Sequence, residues 1–325
     1  MSLDADYIVD RRRMRRKLTF WRIFAVTIAA IAVIGTAFAI RSPNGFAAGA
    51  GPSIARIKIE GLIRSDRDRV DALERLGRSS AKAVIVHINS PGGTTGGSEQ
   101  LHDALKRLKQ QKPMVVVVEG LAASGGYIAA LASDHIVAQS SALVGSIGVL
   151  FQYPNLTELM KTVGVKIEEI KSTPLKAAPS PFEPASPEAR QAVEAVVMDS
   201  YDWFRGLVRD NRKLEGTELA RVTDGRVFTG RQAIDLKLID ELGDEKQALA
   251  WLAKEKGIDP KTRVRNYDLE PRLGDLPFLH VAAAMMFDAV GLGPWARRVE
   301  AWGTVQAIER LNLDGLLALW HPSTN

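Results

Sequence analysis

Two glycine-containing turns each follow a short apolar segment, and each carries groups that could assist nucleophilic attack on a carbonyl carbon. The first is Asn89–Gly93 (NSPGG), and the second is Glu119–Tyr127 (EGLAASGGY). Glycines at the end of a strand let the backbone approach a ligand and direct its N–H groups outward. The first turn could therefore form an oxyanion hole, although an ordinary tight turn has the same composition.

Ser124 in the second turn begins a predicted helix. Free N–H groups and the helix dipole at this end favour developing negative charge, as a nucleophilic serine requires. Serine is also a common helix N-cap, where its hydroxyl only accepts a backbone hydrogen bond. The sequence alone leaves both interpretations of Ser124 open.

A nucleophilic serine needs a general base, and histidine is the usual one. None of the five histidines has an obvious claim to this role. The sequence places them in an apolar run (His87), on the polar side of a helix (His102), at the start of a strand (His135) and in the C-terminal region (His280 and His321).

Lysine is the alternative base, provided that burial disfavours its charged form. Lys176 lies in an apolar stretch with no carboxylate until Glu183. By contrast, Lys161, Lys166 and Lys171 are close to polar or acidic residues and are typical of surface charges. The sequence therefore favours Lys176 as the candidate base.

The elements around these residues alternate between strand and helix. Residues 54–59, 83–88 and 114–118 have the apolar patterns of strands, and residues 97–111 have the spacing of a helix. This order predicts a βαβ-type core with right-handed crossovers. Tyr127–Ala132 continues it as a helix.

Further along the chain the pattern becomes less regular. A short helix is predicted at 157–163, a strand at 165–170, and an extended proline-rich loop at 172–187. A long helix follows from Pro187 to about Leu214, and another helix begins at Arg231.

Composition excludes several classes of site and partner. The 325 residues contain no cysteine, which excludes disulfides, thiolate zinc sites and iron–sulfur clusters. We predict no metal and no cofactor. The formal charge of +5 is concentrated in residues 1–22, which carry seven basic and three acidic side chains, so the remainder has a net charge of only +1. A nearly neutral body argues against a nucleic-acid partner.

Residues 23–40 contain no charge and would form a helix of roughly 27 Å, close to the hydrocarbon thickness of a bilayer. We expect a transmembrane anchor there, with the basic tail 1–22 in the cytoplasm. A linker at 41–52, a catalytic domain at 53–257 and a C-terminal helical extension at 258–325 would lie outside. The alternative is a cleaved signal peptide, because Ala37-Phe38-Ala39 has the form of a cleavage site.

Five separated blocks together resemble the signal peptide peptidase A (SppA) family, the Ser–Lys peptidases of the ClpP/crotonase superfamily. They are INSPGG at 88–93, GLAASGGY at 120–127, VGSIGV at 144–149, the segment around Lys176, and DGRVFTGRQAIDLKLIDELG at 224–243. The resemblance covers about residues 53–255 and matches the short form with one catalytic domain. It implies an α/β fold built as a spiral of ββα units, here preceded by one N-terminal transmembrane helix.

The resemblance also implies a role for each site residue. Ser124 matches the nucleophile, Lys176 the general base, and Ser146 a serine that orients the lysine. The amides of Gly93 and Gly125 match the oxyanion hole. Members of the family form rings, octameric in the short form, in which serine and lysine can come from neighbouring protomers. Their substrates are hydrophobic signal-peptide remnants.

We therefore expect a homo-oligomeric serine endopeptidase of the inner membrane, single-pass, with a periplasmic catalytic domain. A peptidase of the same Ser–Lys class that acts in membrane-protein quality control is the main alternative. A crotonase-like acyl-CoA enzyme would need neither Ser124 nor Lys176. A ring-forming scaffold without catalytic activity is the third alternative.

Overall fold

The computed structural model describes residues 52–269, the backbone of 316–319, and several helical residues between 17 and 28. Contacts divide the chain into two units, residues 1–51 and 52–325. Among the described residues, no helix has both the length and the apolar character needed to cross a membrane. The predicted anchor at 23–40 lies largely outside the described residues, as do most of the tail 1–22 and the linker.

Strands and helices alternate through the first half of the second unit, as the sequence predicted. The strands are β1 (Ser53–Ile63), β2 (Ala81–Thr94), β3 (Met114–Ala123), β4 (His135–Ala138), β5 (Leu143–Gly145), β6 (Leu150–Phe151), β7 (Val227–Thr229), β8 (Glu241–Leu242), β9 (Arg263–Asn266) and β10 (Leu316–Leu319). The helices are α1 (Arg67–Gly77), α2 (Thr95–Gln111), α3 (Gly125–Leu131), α4 (Thr157–Thr162), α5 (Pro187–Arg212), α6 (Gly216–Val222), α7 (Gly230–Asp235) and α8 (Glu245–Lys256).

The centre of the sheet is parallel and buried on both faces. Strand β2 pairs with β1 and β3, and β3 pairs with β4, all in parallel. Their continuous apolar runs fit this position, because helices cover both faces of a parallel sheet. Helix α8 packs on one face through Ala248 and Leu252, which contact a buried cluster that includes Ile85 and Val117. The predicted α/β class is confirmed.

The long strands bend before they reach their ends. The β1–β2 register shifts between Glu60 and Leu62, and the β2–β3 register shifts after Ile88. Beyond the bend, Leu121–Ala123 of β3 pairs with β5 instead of β4. The bends separate the strand ends, and the two glycine-rich turns lie where they separate.

Strand β10 fills a position beside the end of β2. It runs antiparallel to Gly92–Thr94 and also antiparallel to β6. Because β1 follows one edge of β2 as far as Gly93, β10 lies along the other edge, which β3 occupies up to the Ser90–Ala122 pair. This edge of β2 therefore accepts an extended segment next to Ala122, which lies two residues before Ser124.

One expectation from the sequence is wrong. Residues 165–170 form no strand, and Val165, Ile167 and Ile170 are exposed, because no strand among the described residues lies beside them to pair with. The C-terminal extension, expected to be helical, contributes β9 and β10 where it is described. The rest of this extension lies outside the described residues.

Candidate active site

Ser124 occupies the N-cap position of α3 but does not cap the helix with its side chain. Its backbone has φ 52° and ψ −117°, and its side chain is buried with 1% relative exposure. The Ser124 N–H donates to the Gly145 carbonyl at 2.8 Å. Within the described part of the chain, its hydroxyl has no hydrogen-bond partner.

These properties distinguish Ser124 from a structural cap. A capping serine accepts a hydrogen bond from a backbone N–H in the first turn of its helix, and this bond stabilises the helix. Here a non-glycine residue with positive φ costs on the order of 1–3 kcal/mol, and an unpaired buried hydroxyl costs about as much again. Ser124 therefore lacks the side-chain hydrogen bond that defines a capping serine.

Ser146 follows β5 in the same way that Ser124 follows β3. It has φ 50° and is buried, and its N–H donates to the Arg226 carbonyl at 2.8 Å. Strands β3 and β5 are parallel neighbours with Ala123 paired to Gly145. The two serines therefore lie side by side at adjacent strand ends.

The turn at 89–93 is held by Ser90, which is fully buried. The Ser90 hydroxyl donates to the Gly61 carbonyl at 2.7 Å and accepts from the Gly92 N–H at 3.1 Å. At Gly93 the β1 backbone approaches so closely that a Cβ would lie 1.7 Å from the Ile63 oxygen. Only glycine fits at position 93, the first candidate oxyanion donor.

The two turns contact one another. A Cβ on Gly126 would lie 2.7 Å from the Ser90 carbonyl oxygen, so the backbone of α3 rests directly on the first turn. Ser90 is also paired with Ala122 across β2 and β3. The structure therefore brings Gly93, Gly125, Ser124 and Ser146 to one cluster of strand ends.

Lys176 is not part of this cluster in the single chain. It is exposed on the proline-rich loop between α4 and α5. The loop and its neighbours also expose large apolar side chains, among them Leu159, Val163 and Leu175. Within residues 52–269, the Lys176 ammonium makes no ion pair and no hydrogen bond.

The neighbouring lysines differ, because each is paired with a carboxylate. Lys161 binds Glu158 at 2.8 Å, and Lys166 binds Glu168 at 3.2 Å. Lys171 lies between two glutamates, at 2.6 Å and 2.8 Å, and its hydrogen bonds to Glu169 and Glu183 raise its pKa.

No described histidine bonds to Ser124. His87 contacts Glu245 at 2.6 Å, His135 contacts Glu241 at 3.3 Å, and His102 contacts the Ile128 carbonyl at 2.9 Å. His102 was expected on the polar side of its helix, and this is wrong. It is 3% exposed, because α3 packs against that side of α2.

Sequence reasoning missed the buried hydrogen bonds of two residues near the turns, Ser90 and His102. Ser90 lies inside the NSPGG motif, so its position was visible, but its hydrogen bond to β1 was not. The position of His102 depends on the packing of α2 against α3, for which the sequence gives no direct signal.

Two family models match the chain. The model described as "Peptidase family S49" matches residues 106–259, which include Ser124, Ser146 and Lys176. The model described as "Clp protease" matches residues 68–143, which include Gly93 and Ser124. The second match agrees with a ClpP-like α/β fold.

Several relatives are proteases by name. A Synechocystis protein named "Putative protease slr0021" is 37% identical over 64% of this chain and 76% of its own length. "Protease 4" of Haemophilus influenzae is 30% identical over 67% of this chain, and "Putative signal peptide peptidase SppA" of Enterococcus faecium is 33% identical over 56%. The matched parts are 37% and 54% of those two proteins.

Proposed function

The chain belongs to peptidase family S49 and is a serine protease, and from this premise we propose that Ser124 is its nucleophile and Lys176 its general base. The observation that carries the proposal is the Ser124 hydroxyl. It is buried, unpartnered among the described residues, and held on a strained backbone beside two glycine-rich turns.

The reaction follows from the cluster of strand ends. Neutral Lys176 takes the Ser124 proton while the serine oxygen attacks the peptide carbonyl carbon. The negative carbonyl oxygen accepts hydrogen bonds from the N–H groups of Gly93 and Gly125. The lysine then gives its proton to the leaving amine, and water hydrolyses the acyl-enzyme. Ser146, beside Ser124, orients the lysine amine.

The choice of Lys176 among the local lysines is supported by charge. A general base must lose its proton before it can act, and a carboxylate partner stabilises the protonated form. Lys161, Lys166 and Lys171 each have such a partner, whereas Lys176 has none within residues 52–269. Packing against another protein surface would remove water from Lys176 and favour its neutral form.

We assign that surface to a second copy of the chain in a homo-oligomeric ring, expected to contain eight subunits. In one chain Ser124 is buried and its hydroxyl has no hydrogen-bond partner among the described residues, while Lys176 is exposed on the proline-rich loop. The exposed apolar side chains around Lys176 favour a protein interface. Each active site would combine Ser124 of one copy with Lys176 of its neighbour.

The substrates we propose are hydrophobic peptides bound as an extended strand, with signal-peptide remnants as the physiological case. The edge of β2 at Gly92–Thr94 accepts an antiparallel strand, as β10 demonstrates. On the far side of β10, at β6, an open pocket of about 280 Å³ is lined mainly by apolar or aromatic side chains, including Phe151, Tyr153, Val193 and Val197. A main-chain ladder gives affinity, and such pockets select apolar side chains.

We also propose that residues 23–40 anchor the enzyme in the inner membrane, with the catalytic domain in the periplasm. The uncharged run and the basic cluster before it support this topology. Phe20 and Trp21 at its edge are exposed, as expected for side chains at the headgroup level.

The dyad is tested with Ser124→Ala, Lys176→Ala and Lys176→Arg in a peptide-cleavage assay. All three should be inactive but folded. The alanine variants lack the nucleophile or the base, and the guanidinium of Lys176→Arg does not deprotonate in the working range. Lys161→Ala is the matched control, since it also removes an exposed lysine and should keep activity. An active Lys176→Ala enzyme would show that another residue is the base.

Shared sites are tested by mixing inactive variants. If Ser124 and Lys176 come from different copies, randomly mixed rings of Ser124→Ala and Lys176→Ala should regain about one quarter of the wild-type activity. No recovery, in rings shown to have exchanged subunits, would place both residues in the same chain.

Topology and substrate are tested separately. Because the chain has no cysteine, Ser2→Cys and Lys254→Cys each introduce a single labelling site. An impermeant maleimide added to spheroplasts should label position 254 and should reach position 2 only after permeabilisation. For the substrate, signal-peptide remnants should be cleaved faster than unfolded membrane proteins. The reverse order would favour the quality-control peptidase.

A further inference from the structure

Helix α3, which begins immediately after Ser124, is only seven residues long and all of it is buried. In its first turn, the N–H groups of Tyr127 and Ile128 donate to the Ser124 carbonyl at 2.9 Å and 3.0 Å. The N–H of a trans peptide points opposite to the carbonyl of the same unit. These two bonds therefore aim the Gly125 N–H out of the helix, towards the candidate oxyanion.

The last turn of α3 is tighter than an α-helix. The Ala132 N–H donates to the Ala129 carbonyl at 3.2 Å, and the Ser133 N–H donates to the Ala130 carbonyl. The Ile128 carbonyl therefore does not receive the N–H four residues later. His102 supplies a donor instead, with its Nδ1 at 2.9 Å from the Ile128 oxygen. Since a carbonyl only accepts, Nδ1 carries the proton.

His102 reaches α3 from α2, whose N-cap Thr94 directly follows Gly93. The start of α2 is fixed by Thr94, whose hydroxyl accepts from the Gly97 N–H at 3.1 Å and whose carbonyl accepts from Ser98 at 2.8 Å. One oxyanion donor thus precedes α2, and the other opens α3. The buried bond from His102 to Ile128 joins these two helices.

We propose that His102 is a positioning residue that fixes the spacing and direction of the two oxyanion amides, Gly93 and Gly125. It touches neither substrate nor Ser124, and it acts through the relative placement of α2 and α3. The inference rests on the proposed roles of Ser124 and of the two glycines. Loss of the bond would leave the nucleophile present but the negative charge of the transition state poorly stabilised.

The test compares three variants at one position. In His102→Asn, the side-chain amide N–H replaces the Nδ1–H donor in nearly the same place. In His102→Gln the donor is displaced by one bond, and in His102→Leu it is absent. Tyr201→Phe is the matched control. It removes the hydrogen bond of 2.6 Å that the hydroxyl of Tyr201, on α5, donates to the Thr223 carbonyl.

His102→Leu should lower kcat about 10- to 100-fold with little change in KM, part of the effect of losing an oxyanion donor. Its affinity for a peptide aldehyde, which forms the oxyanion on binding, should fall by a similar factor. His102→Asn should stay within about threefold of wild type, while Tyr201→Phe should lower Tm and leave kcat unchanged. If His102→Leu does not fold, Asn should still exceed Gln in kcat.

A kcat within threefold of wild type for His102→Leu, or equal kcat values for Asn and Gln, would overturn the inference. Failure of the proposed function is seen separately with a fluorophosphonate probe. Labelling that persists in Ser124→Ala would show that Ser124 is not the nucleophile, whatever His102 does.

Discussion

Ser124 and Ser146 directly follow the paired residues Ala123 and Gly145 on the parallel strands β3 and β5. Both serines have positive φ, 52° and 50°, in a region that non-glycine residues rarely adopt. Both N–H groups are bound to carbonyls at 2.8 Å, so the surrounding backbone holds each strained residue in place. The two hydroxyls are thereby presented at the same level of the sheet.

The backbone strain at Ser124 should lower the free energy of unfolding by a measurable amount. Ser124→Gly and Ser124→Ala both remove the hydroxyl, but only glycine adopts the required φ without strain. We expect the Gly variant to be more stable than the Ala variant by about 1 kcal/mol, and both to be inactive. Chemical denaturation of the two proteins checks the difference. Equal stability would mean that the backbone at 124 is relaxed.

Ser146 should affect turnover and not substrate binding. Ser146→Ala keeps the backbone but removes the hydroxyl that we propose orients the lysine, so kcat should fall by about 10- to 100-fold with KM nearly unchanged. Ser141→Ala, an exposed serine four residues before Gly145, is the control. An unchanged kcat in Ser146→Ala would limit Ser146 to a structural role.

Stability should decrease as the pH falls below about 6.5, because folded His102 is buried and neutral. Burial lowers the pKa of His102 from 6.5, and the bond to Ile128 and the nearby Asp103 only partly oppose this effect. The unfolded chain then takes up a proton at a higher pH than the folded chain does. The contribution of His102 to the free energy of unfolding is fully present above about pH 6.5. It decreases as the pH falls towards the lowered pKa.

Thermal unfolding of wild type and His102→Asn between about pH 5 and 8 tests this sign. The nearby charges of Asp103, Lys106 and Lys109 are present in both proteins, so the difference isolates the histidine. The variant should lose less stability on acidification. Parallel curves for the two proteins would contradict the prediction.

Strand β10 should compete with substrate, since it occupies the edge of β2 where we propose that an extended peptide binds. Leu317→Pro removes a backbone donor from β10 and should weaken its pairing. We expect a several-fold lower KM with unchanged kcat. Leu317→Ala keeps the donor and serves as the control. A higher KM in the proline variant would mean that β10 helps to form the binding site.

The sequence predicted the elements whose signals are local. The strands around 83–88 and 114–118 are buried on both faces and had continuous apolar runs, and α2 had a clear helical spacing. The turns at 89–93 and 119–127 were found because glycine and serine have specific backbone uses. These signals were enough to locate the candidate nucleophile and oxyanion amides.

The remaining features depend on which segments meet in space. Residues 165–170 include three β-branched apolar side chains, which favoured a strand, but a strand also needs a neighbour, which the sequence does not supply. Strand β10 forms because an edge of β2, more than 200 residues earlier, is available to it. His102 is buried by α3, and the proposed pairing of Lys176 with Ser124 depends on a second copy of the chain.

All seven residues of α3 are buried, so the nucleophile is attached to the hydrophobic core itself. Local fraying of a loop or a chain end cannot displace Ser124, because the helix moves only if the core opens. Amide protons of α3 should therefore be among the last to exchange with deuterium, and loss of the serine's reactivity on heating should coincide with global unfolding. For this protein, thermal inactivation of the nucleophile and loss of the native core are expected to be one event.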